Sequence, residues 1–162
     1  MQISVGDTLP SASFLRVGAD GPEEVALKDL TTGRKTVIFG LPGAYTRTCS
    51  ASHMPSFVDN IDKLREAGVA EVICISVNDP FVMAAWGKDT GAEAAGIHML
   101  GDPRATFTKE IGMAFTAEPV GLIDRSRRYA MIVYDNVVQT LSIEDSPGQC
   151  SISSGNAILD AL

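Results

Sequence analysis

Residues 69–77, Val-Ala-Glu-Val-Ile-Cys-Ile-Ser-Val, form a nearly continuous apolar, β-branched run. A run of this kind is typical of a central strand covered on both faces, because a strand with one exposed face alternates apolar and polar residues. Residues 35–40 form a shorter apolar run that ends at a Pro-Gly turn. The sequence therefore predicts two buried strands near the middle of a sheet.

Helix-like and strand-like segments alternate along the rest of the chain. Apolar residues recur at helical spacing after Cys49 as far as Gly68, with a kink or a restart expected at Pro55. Further segments predict a helix from 81 to about 90 opened by Asn78-Asp79-Pro80, a strand at 97–100, a helix at 103–111, a hairpin of 128–134 with 137–143, and a last helix at 153–162. This order predicts an α/β fold with a mixed sheet.

Length and charge narrow the class of protein. A chain of 162 residues is enough for one domain, which we expect to span residues 1–162. The net charge of −7 disfavours binding to nucleic acid or to anionic membranes. No apolar run approaches the roughly 18 residues of a membrane helix, and the first residues lack the pattern of a secretory signal. With only three cysteines, these features predict a cytoplasmic protein with reactive thiols rather than a disulfide scaffold.

The segment Pro42-Gly43-Ala44-Tyr45-Thr46-Arg47-Thr48-Cys49-Ser50 carries the chemistry. It places a cysteine where a helix begins, and the free N–H groups and dipole of a helix start favour thiolate, the reactive form of the thiol. The hydroxyl of Thr46 can accept from a peroxide oxygen or donate to the thiolate. Backbone N–H groups can bind the oxygen that gains charge when an O–O bond breaks. A cation is offered by Arg125, Arg127 and Arg128.

The chain resembles the peroxiredoxins, specifically the type-5 or type II (atypical) subfamily. The resemblance rests on Pro42, Thr46 and Cys49 in the segment above, on His53-Met54-Pro55-Ser56-Phe57, on residues 73–83 with Ala85-Trp86, and on Ser126-Arg127-Arg128-Tyr129. It extends over nearly the whole chain. It implies a thioredoxin-like fold, a mixed central β-sheet flanked by helices, in which Thr46-x-x-Cys49 stands in place of the usual Cys-x-x-Cys.

By position, the resemblance implies that Cys49 is the peroxidatic cysteine and becomes a sulfenic acid. Thr46 would orient the substrate, Pro42 would shield the thiolate from water, and Arg128 would be the essential arginine, a role for which Arg125 and Arg127 match less well. The implied activity is thiol-dependent reduction of hydrogen peroxide and small alkyl hydroperoxides, without a metal or other cofactor. The implied assembly is a homodimer with its contact near the active-site loop and residues 79–81.

Two residues beside the cysteine depart from the family pattern. Tyr45 and Arg47 stand where the family often has phenylalanine and proline. Tyr45 should keep the aromatic packing. Arg47 adds a charge beside the thiol and removes a rigid residue, so we expect an effect on substrate access or on local unfolding of the first helical turn.

A sulfenic acid must be captured by a thiol before further oxidation. Within the chain the candidates are Cys150, in a Pro-Gly loop that can move, and Cys74, in an apolar strand. The resemblance gives each a counterpart, Cys150 in the animal type-5 branch and Cys74 in the plant type II branch. We favour Cys150 if an intramolecular disulfide forms. Reduction by an external donor, glutathione with glutaredoxin or thioredoxin, is an equally good prediction.

Other classes of function fit less of the sequence. A redox-sensing binding protein, in which oxidation of Cys49 signals to a partner, is the main alternative. A metal site is disfavoured because Cys49, His53 and the other cysteines do not cluster at zinc-like spacing. A thiol–disulfide oxidoreductase is disfavoured because no Cys-x-x-Cys is present. We interpret both His53 and His98 as packed residues without a role in the chemistry.

Overall fold

A seven-stranded mixed sheet is the centre of the fold in the computed structural model, which describes residues 2–162. Its strands lie in the order β2-β1-β5-β4-β3-β8-β9. Strands β3, β4 and β5 are parallel to one another, and β1, β2, β8 and β9 pair antiparallel with their neighbours. The strands of this sheet are β1 (Ser13–Gly18), β2 (Gly21–Ala26), β3 (Lys35–Leu41), β4 (Glu71–Ser76), β5 (His98–Gly101), β8 (Tyr129–Tyr134) and β9 (Val137–Ile143).

Helices cover both faces of this sheet, and a separate two-stranded ribbon stands beside it. The ribbon pairs β6 (Ala114–Ala117) with β7 (Leu122–Ser126) around a 3₁₀ turn, Glu118–Val120. A π-helix, Cys49–His53, leads directly into α2. The α-helices are α1 (Lys28–Thr31), α2 (Met54–Asp59), α3 (Ile61–Glu66), α4 (Pro80–Thr90), α5 (Thr106–Glu110) and α6 (Gly155–Ala161). Within residues 2–162, none of these helices is both long and apolar enough to cross a membrane.

The apolar residues of the central strands divide between two cores because successive side chains point to opposite faces. Val37 and Phe39 of β3 and Cys74 of β4 enter one core, which also contains Cys49 and α2. Ile38 of β3 enters the other core with the alternate residues of β4 and β8. The predicted two-sided burial of residues 69–77 is confirmed for Val72–Ser76, whereas Glu71 at the start of β4 is half-buried. The functional cysteine candidate therefore lies in a packed layer rather than in a surface groove.

Most predicted elements are present, with shifted ends. The hairpin of β8 and β9 turns at Asp135 and Asn136, whose φ angles of 46° and 69° suit a tight two-residue turn. The helix predicted for 103–111 begins only at Thr106, because the side chain of Asp102 accepts from the N–H groups of Phe107 and Thr108 and so fixes the preceding residues as a turn. The last helix begins at Gly155 and is capped by Ser154.

Two hairpins, β1 with β2 and β6 with β7, were not predicted from the sequence. Strand β2 carries Pro22, Glu23 and Glu24 and lies at the edge of the sheet, where three of its six residues are exposed. Such a strand lacks the apolar run by which buried strands are recognised. The ribbon of β6 and β7 is similarly half-exposed. Backbone pairing rather than burial of side chains accounts for these strands.

Candidate active site

The side chain of Asn78 holds the loop that follows strand β3. The amide oxygen of Asn78 accepts from the N–H of Ala44 at 2.9 Å and from the hydroxyl of Ser76 at 2.6 Å. Tyr45 adopts a left-handed φ of 64°, and its exposed ring reaches α4, where the hydroxyl donates to Asp89 at 2.6 Å. These contacts fix the loop so that the helix begins at Arg47 and places Cys49 in the core.

Cys49 begins the π-helix, in which its carbonyl accepts from the N–H of Met54. A regular α-helix cannot run unchanged through this region, because Pro55 has no N–H to donate to the carbonyl four residues earlier. The chain restarts as α2 at Met54, with Pro55 in its first turn, as the sequence predicted. Trp86 of α4 donates to the hydroxyl of Ser50 at 3.0 Å and holds the wide turn against the core. Single π turns of this kind are frequent at functional sites.

Arg128 is the residue immediately before β8, and its side chain reaches the sulfur of Cys49. Its side chain is almost fully buried, with 1% of the residue exposed, and Nη2 lies 3.0 Å from Sγ of Cys49, which is itself 0% exposed. The other donors of the guanidinium are also used. Nη1 lies 2.8 Å from Nδ1 of His53, and Nε and Nη2 donate to the carbonyl of Pro147 at 3.2 and 3.0 Å.

The buried guanidinium needs a negative partner that no carboxylate supplies. None of the ion pairs formed within residues 2–162 involves Arg128. Its contacts with Pro147 and His53 are to neutral acceptors, and a buried charge without an ionic partner is costly. The remaining contact is Sγ of Cys49. The geometry therefore places a fixed positive charge where it can pair with a thiolate, the nucleophilic form of a cysteine.

His53 is neutral in this arrangement. Burial lowers the pKa of its imidazole to about 3, and the neighbouring charge of Arg128 acts in the same direction. With one proton, the ring donates from Nε2 to the carbonyl of Ser153 at 3.0 Å and accepts at Nδ1 from Arg128. The ring also packs against Phe39 and Phe57. His53 is thus packed, as the sequence suggested, but it also touches the arginine of the site.

The residues before Cys49 form a rigid wall. The hydroxyl of Thr46 donates to the carbonyl of Gly43 at 2.7 Å, so its lone pairs are the part available to a ligand. Pro42 is buried, and its carbonyl accepts from Nη1 of Arg125 at 3.0 Å. A Cβ on Gly43 would lie 2.3 Å from that same nitrogen, so the wall and Arg125 fit closely. Arg127 lies apart and contacts Gln2 at the surface.

The two other cysteines occupy different environments. Cys74 is fully buried in β4 opposite Phe39, and burial, reinforced by Cys49, raises the pKa of its thiol well above the usual value.

Cys150 is half-buried in the irregular segment after β9, and burial raises the pKa of its thiol as well. That segment touches the site, because Pro147 binds Arg128 and the hydroxyl of Thr48 donates to the carbonyl of Gly148 at 3.0 Å. All three thiols are free.

Three contributors to the site were missed by sequence reasoning. Arg125 was ranked below Arg128 as the cation, and His53 was interpreted as a packed residue without a role in the chemistry. Glu144, which accepts hydrogen bonds from Ser151 and Ser153, was not singled out. Arg125 and His53 contact partners far away in sequence, Pro42 and Arg128, whereas the partners of Glu144 lie within the next nine residues. The one available signal was His53, four residues after Cys49 and therefore near it on any helix.

Comparison with known proteins agrees with this geometry. The family model for Redoxin matches residues 4–159. The chain is 43% identical to the chloroplastic peroxiredoxin-2E of Arabidopsis thaliana over 164 residues, which cover 99% of the chain and 69% of that protein. The structure of reduced Prx3 from Vibrio vulnificus in complex with H₂O₂ superimposes with a TM-score of 0.92 at 40% identity, covering 99% of each chain. The chain belongs to the peroxiredoxin family.

A second solved structure places it within that family. Peroxiredoxin 5 from Alvinella pompejana superimposes with a TM-score of 0.85 at 34% identity, covering 98% of this chain and 97% of its own. The chain is thus a type II or type-5 peroxiredoxin with a thioredoxin-like fold, and both predictions are confirmed. Its activity is that of a thiol-dependent peroxidase, which takes peroxides as oxidants and a thiol as reductant.

Proposed function

We propose that Cys49 is the peroxidatic cysteine, with Arg128, Thr46 and Pro42 as the other residues of the catalytic site. The observation that supports this assignment is the 3.0 Å contact between the buried guanidinium of Arg128 and Sγ of Cys49. A fixed cation at that distance stabilises the thiolate and also the negative charge that develops on a peroxide. Pro42 belongs to the buried wall that keeps water away.

The proposed reaction is a displacement at oxygen. The thiolate of Cys49 attacks one peroxide oxygen, so an S–O bond forms while the O–O bond breaks. The sulfur is oxidised to sulfenic acid, and the departing alkoxide or hydroxide takes a proton from solvent and leaves as alcohol or water. The lone pairs of Thr46 can accept from the hydroxyl of the hydroperoxide, because the threonine's own proton is used on Gly43. Hydrogen peroxide and small alkyl hydroperoxides suit this confined position.

Removal of the sulfur tests the assignment directly. Cys49→Ser should abolish peroxide consumption in the presence of a thiol donor, measured under steady-state conditions. Cys74→Ser is the matched control for the oxidative step: it removes a buried cysteine of the same core but leaves the sulfur beside Arg128 in place, so it should still consume one equivalent of peroxide in the absence of a donor. Full turnover by Cys49→Ser would rule out the mechanism.

For the reductive half of the cycle, we propose that glutathione with glutaredoxin, or thioredoxin, supplies electrons, either directly or after an internal disulfide. Cys150 is the better internal candidate, because its segment lacks regular structure and already touches Arg128 and Thr48. Cys74 is held in the middle of a sheet. Mass spectrometry of peroxide-treated protein distinguishes a Cys49–Cys150 link, a Cys49–Cys74 link and neither, and a donor panel identifies the reductant.

We also propose a homodimer that forms beside the active-site loop. Phe81, at the start of α4, is 62% exposed, and Tyr45, which is bonded to the same helix, is 53% exposed. Large apolar surfaces of this kind are common at interfaces. Phe81→Glu should produce monomers in sedimentation equilibrium, whereas Val5→Glu, at a residue 61% exposed, should not. Dimers that persist in Phe81→Glu would contradict this interface.

Finally, we propose that the protein acts in the cytoplasm. The proposal rests on the small and odd number of cysteines, three, which fits reactive thiols in a reducing compartment better than a disulfide scaffold. Fractionation of cells that express the native chain tests it, and recovery in an organelle or outside the cell would contradict it.

A further inference from the structure

Glu144, the residue after β9, is a buried carboxylate that is hydrogen-bonded to one short segment of the chain. It is 3% exposed and accepts four hydrogen bonds, all from Ser151 and Ser153. The N–H and hydroxyl of Ser153 lie 2.8 and 2.6 Å from its carboxylate, and the N–H and hydroxyl of Ser151 lie at 2.8 and 3.1 Å. Burial alone would raise the pKa of Glu144, but the hydrogen bonds from Ser153 and Ser151 outweigh it and lower the pKa, so the group is an anion.

From Ser153 the contacts continue to the reactive sulfur. The carbonyl of Ser153 accepts from Nε2 of His53 at 3.0 Å, and Nδ1 of His53 accepts from Nη1 of Arg128 at 2.8 Å. Nη2 of Arg128 then reaches Sγ of Cys49 at 3.0 Å. The path from Glu144 to Cys49 is therefore unbroken and passes through buried groups.

A second path runs through the same segment. The carbonyl of Pro147 accepts from two nitrogens of Arg128, and Pro147 lies between Glu144 and the two serines that Glu144 binds. Residues 144–154 contain no helix or strand, so regular structure does not fix the position of this carbonyl. The four hydrogen bonds to Glu144 close the segment into a loop and fix it. The N–H of Glu144 also donates to the carbonyl of Arg128 at 2.9 Å.

We propose that Glu144 is a positioning residue for the peroxidase reaction, which holds the guanidinium of Arg128 against Cys49 through Ser153, His53 and the carbonyl of Pro147. The inference rests on the role proposed above for Arg128. Glu144 itself does not touch the sulfur or the substrate. Its loss releases the loop, and Arg128 then loses the acceptors that fix three of its nitrogens.

The first experiment compares two buried carboxylates. Glu144→Ala should lower kcat/KM for hydrogen peroxide about tenfold, a typical size for coupling within a buried network. It should lower the alkylation rate of Cys49 at pH 7, followed on the Cys49 peptide by mass spectrometry, by a similar factor. Asp102→Ala is the matched control: Asp102 is 4% exposed and accepts from Phe107 and Thr108, away from the sulfur. It should change both rates less than about twofold.

A milder variant covers the case in which Glu144→Ala does not fold. Glu144→Gln keeps one oxygen for the N–H groups of Ser151 and Ser153, so it should fold and lose less activity than Glu144→Ala. An intermediate loss in Glu144→Gln supports the proposal. Wild-type rates in both variants, with folding verified by circular dichroism, would overturn it.

A double mutant separates positioning from general loss of structure. In an Arg128→Ala background, Glu144→Ala should not change the alkylation rate of Cys49 any further, because the group through which it acts is absent. An undiminished tenfold loss in that background would overturn the proposal and leave the role of Arg128 intact. Wild-type alkylation and turnover in Arg128→Ala alone would overturn both.

Discussion

The hydroxyl of Thr46 has one proton and two lone pairs, and its proton is used in a hydrogen bond within the loop. It donates to the carbonyl of Gly43 at 2.7 Å, within the wall that Arg125 holds at Pro42. The oxygen is thereby oriented as an acceptor. A hydroperoxide that offers its O–H to this oxygen would keep one end fixed while the sulfur attacks the other.

Substitutions at this position test the acceptor role. Thr46→Val keeps the shape of the side chain but removes the oxygen, and we expect kcat/KM for hydrogen peroxide to fall about 10²-fold, comparable to the loss of one fixed polar contact in other enzymes. Thr46→Ser keeps the oxygen and should retain most of the activity. Stopped-flow measurement of sulfenic acid formation provides the test, and equal rates in the two variants would contradict the role.

Among individual residues, sequence reasoning identified the candidates that would contact the sulfur or the substrate. It did not identify residues that would act by positioning another side chain. Cys49 and Thr46 are close in the chain. The need for a cation beside the thiol indicated only Arg125, Arg127 and Arg128 together, and the resemblance to the peroxiredoxins selected Arg128. Glu144 was not found, because its partners are backbone N–H groups and serine hydroxyls, which have no recognisable pattern. A buried carboxylate can be identified only when the fold shows what surrounds it.

Among the helices, α6 is the last in the chain and packs closely against α2. A Cβ on Gly155 would lie 2.3 Å from the carbonyl oxygen of Ser56 in α2. Helix propensity alone favours alanine over glycine by about 1 kcal/mol. Here the contact with backbone cannot relax easily, so the effect of packing outweighs propensity.

Gly155→Ala should therefore destabilise the protein, by about 1–3 kcal/mol, as overpacked substitutions do. The free energy of unfolding in urea measures this effect. Gly148→Ala is the matched control, because only the hydroxyl oxygen of Ser146 lies near its Cβ, at 3.9 Å, and its change should remain within about 0.5 kcal/mol. A stabilised Gly155→Ala would show that α6 moves away from α2 freely.

The sequence predicted the helices and strands that bury apolar side chains. It did not predict the strands that are stabilised mainly by backbone pairing. The central strand Glu71–Ser76 and the capped helix Pro80–Thr90 carry strong local signals, and both are present. The π-helix was predicted only as a disturbance at Pro55, because spacing does not distinguish a widened turn from a kink. The edge strand Gly21–Ala26 had no apolar pattern to reveal it.

For the whole molecule, acid should reduce stability through His53. Its imidazole has a pKa of about 3 in the folded state against 6.5 for the free group. Between these values the unfolded chain binds the additional proton, so stability falls as the pH decreases from 6.5 towards 3. At pH 5 this amounts to about 2 kcal/mol. Glu144 acts in the same direction at lower pH, because its pKa is also lowered on folding.

Urea unfolding at pH 7.5, 6 and 5 tests this dependence. His53→Asn should lower stability at pH 7.5 but flatten the loss between pH 7.5 and 5. Phe57→Leu, which changes the packing beside the imidazole but keeps the imidazole itself, should keep most of the wild-type slope. An unchanged slope in His53→Asn would assign the acid sensitivity to other groups.

The complete burial of Cys49 makes the site a size filter. Two oxygen atoms can approach a sulfur that is 0% exposed with small adjustments, but another protein's thiol cannot reach it in this conformation. Under the role proposed for Cys49, direct reduction by a protein donor requires a conformation in which this sulfur is exposed. Solvent viscosity should therefore slow regeneration by a protein donor far more than it slows the reaction with peroxide, because only regeneration by such a donor waits for the buried sulfur to become exposed.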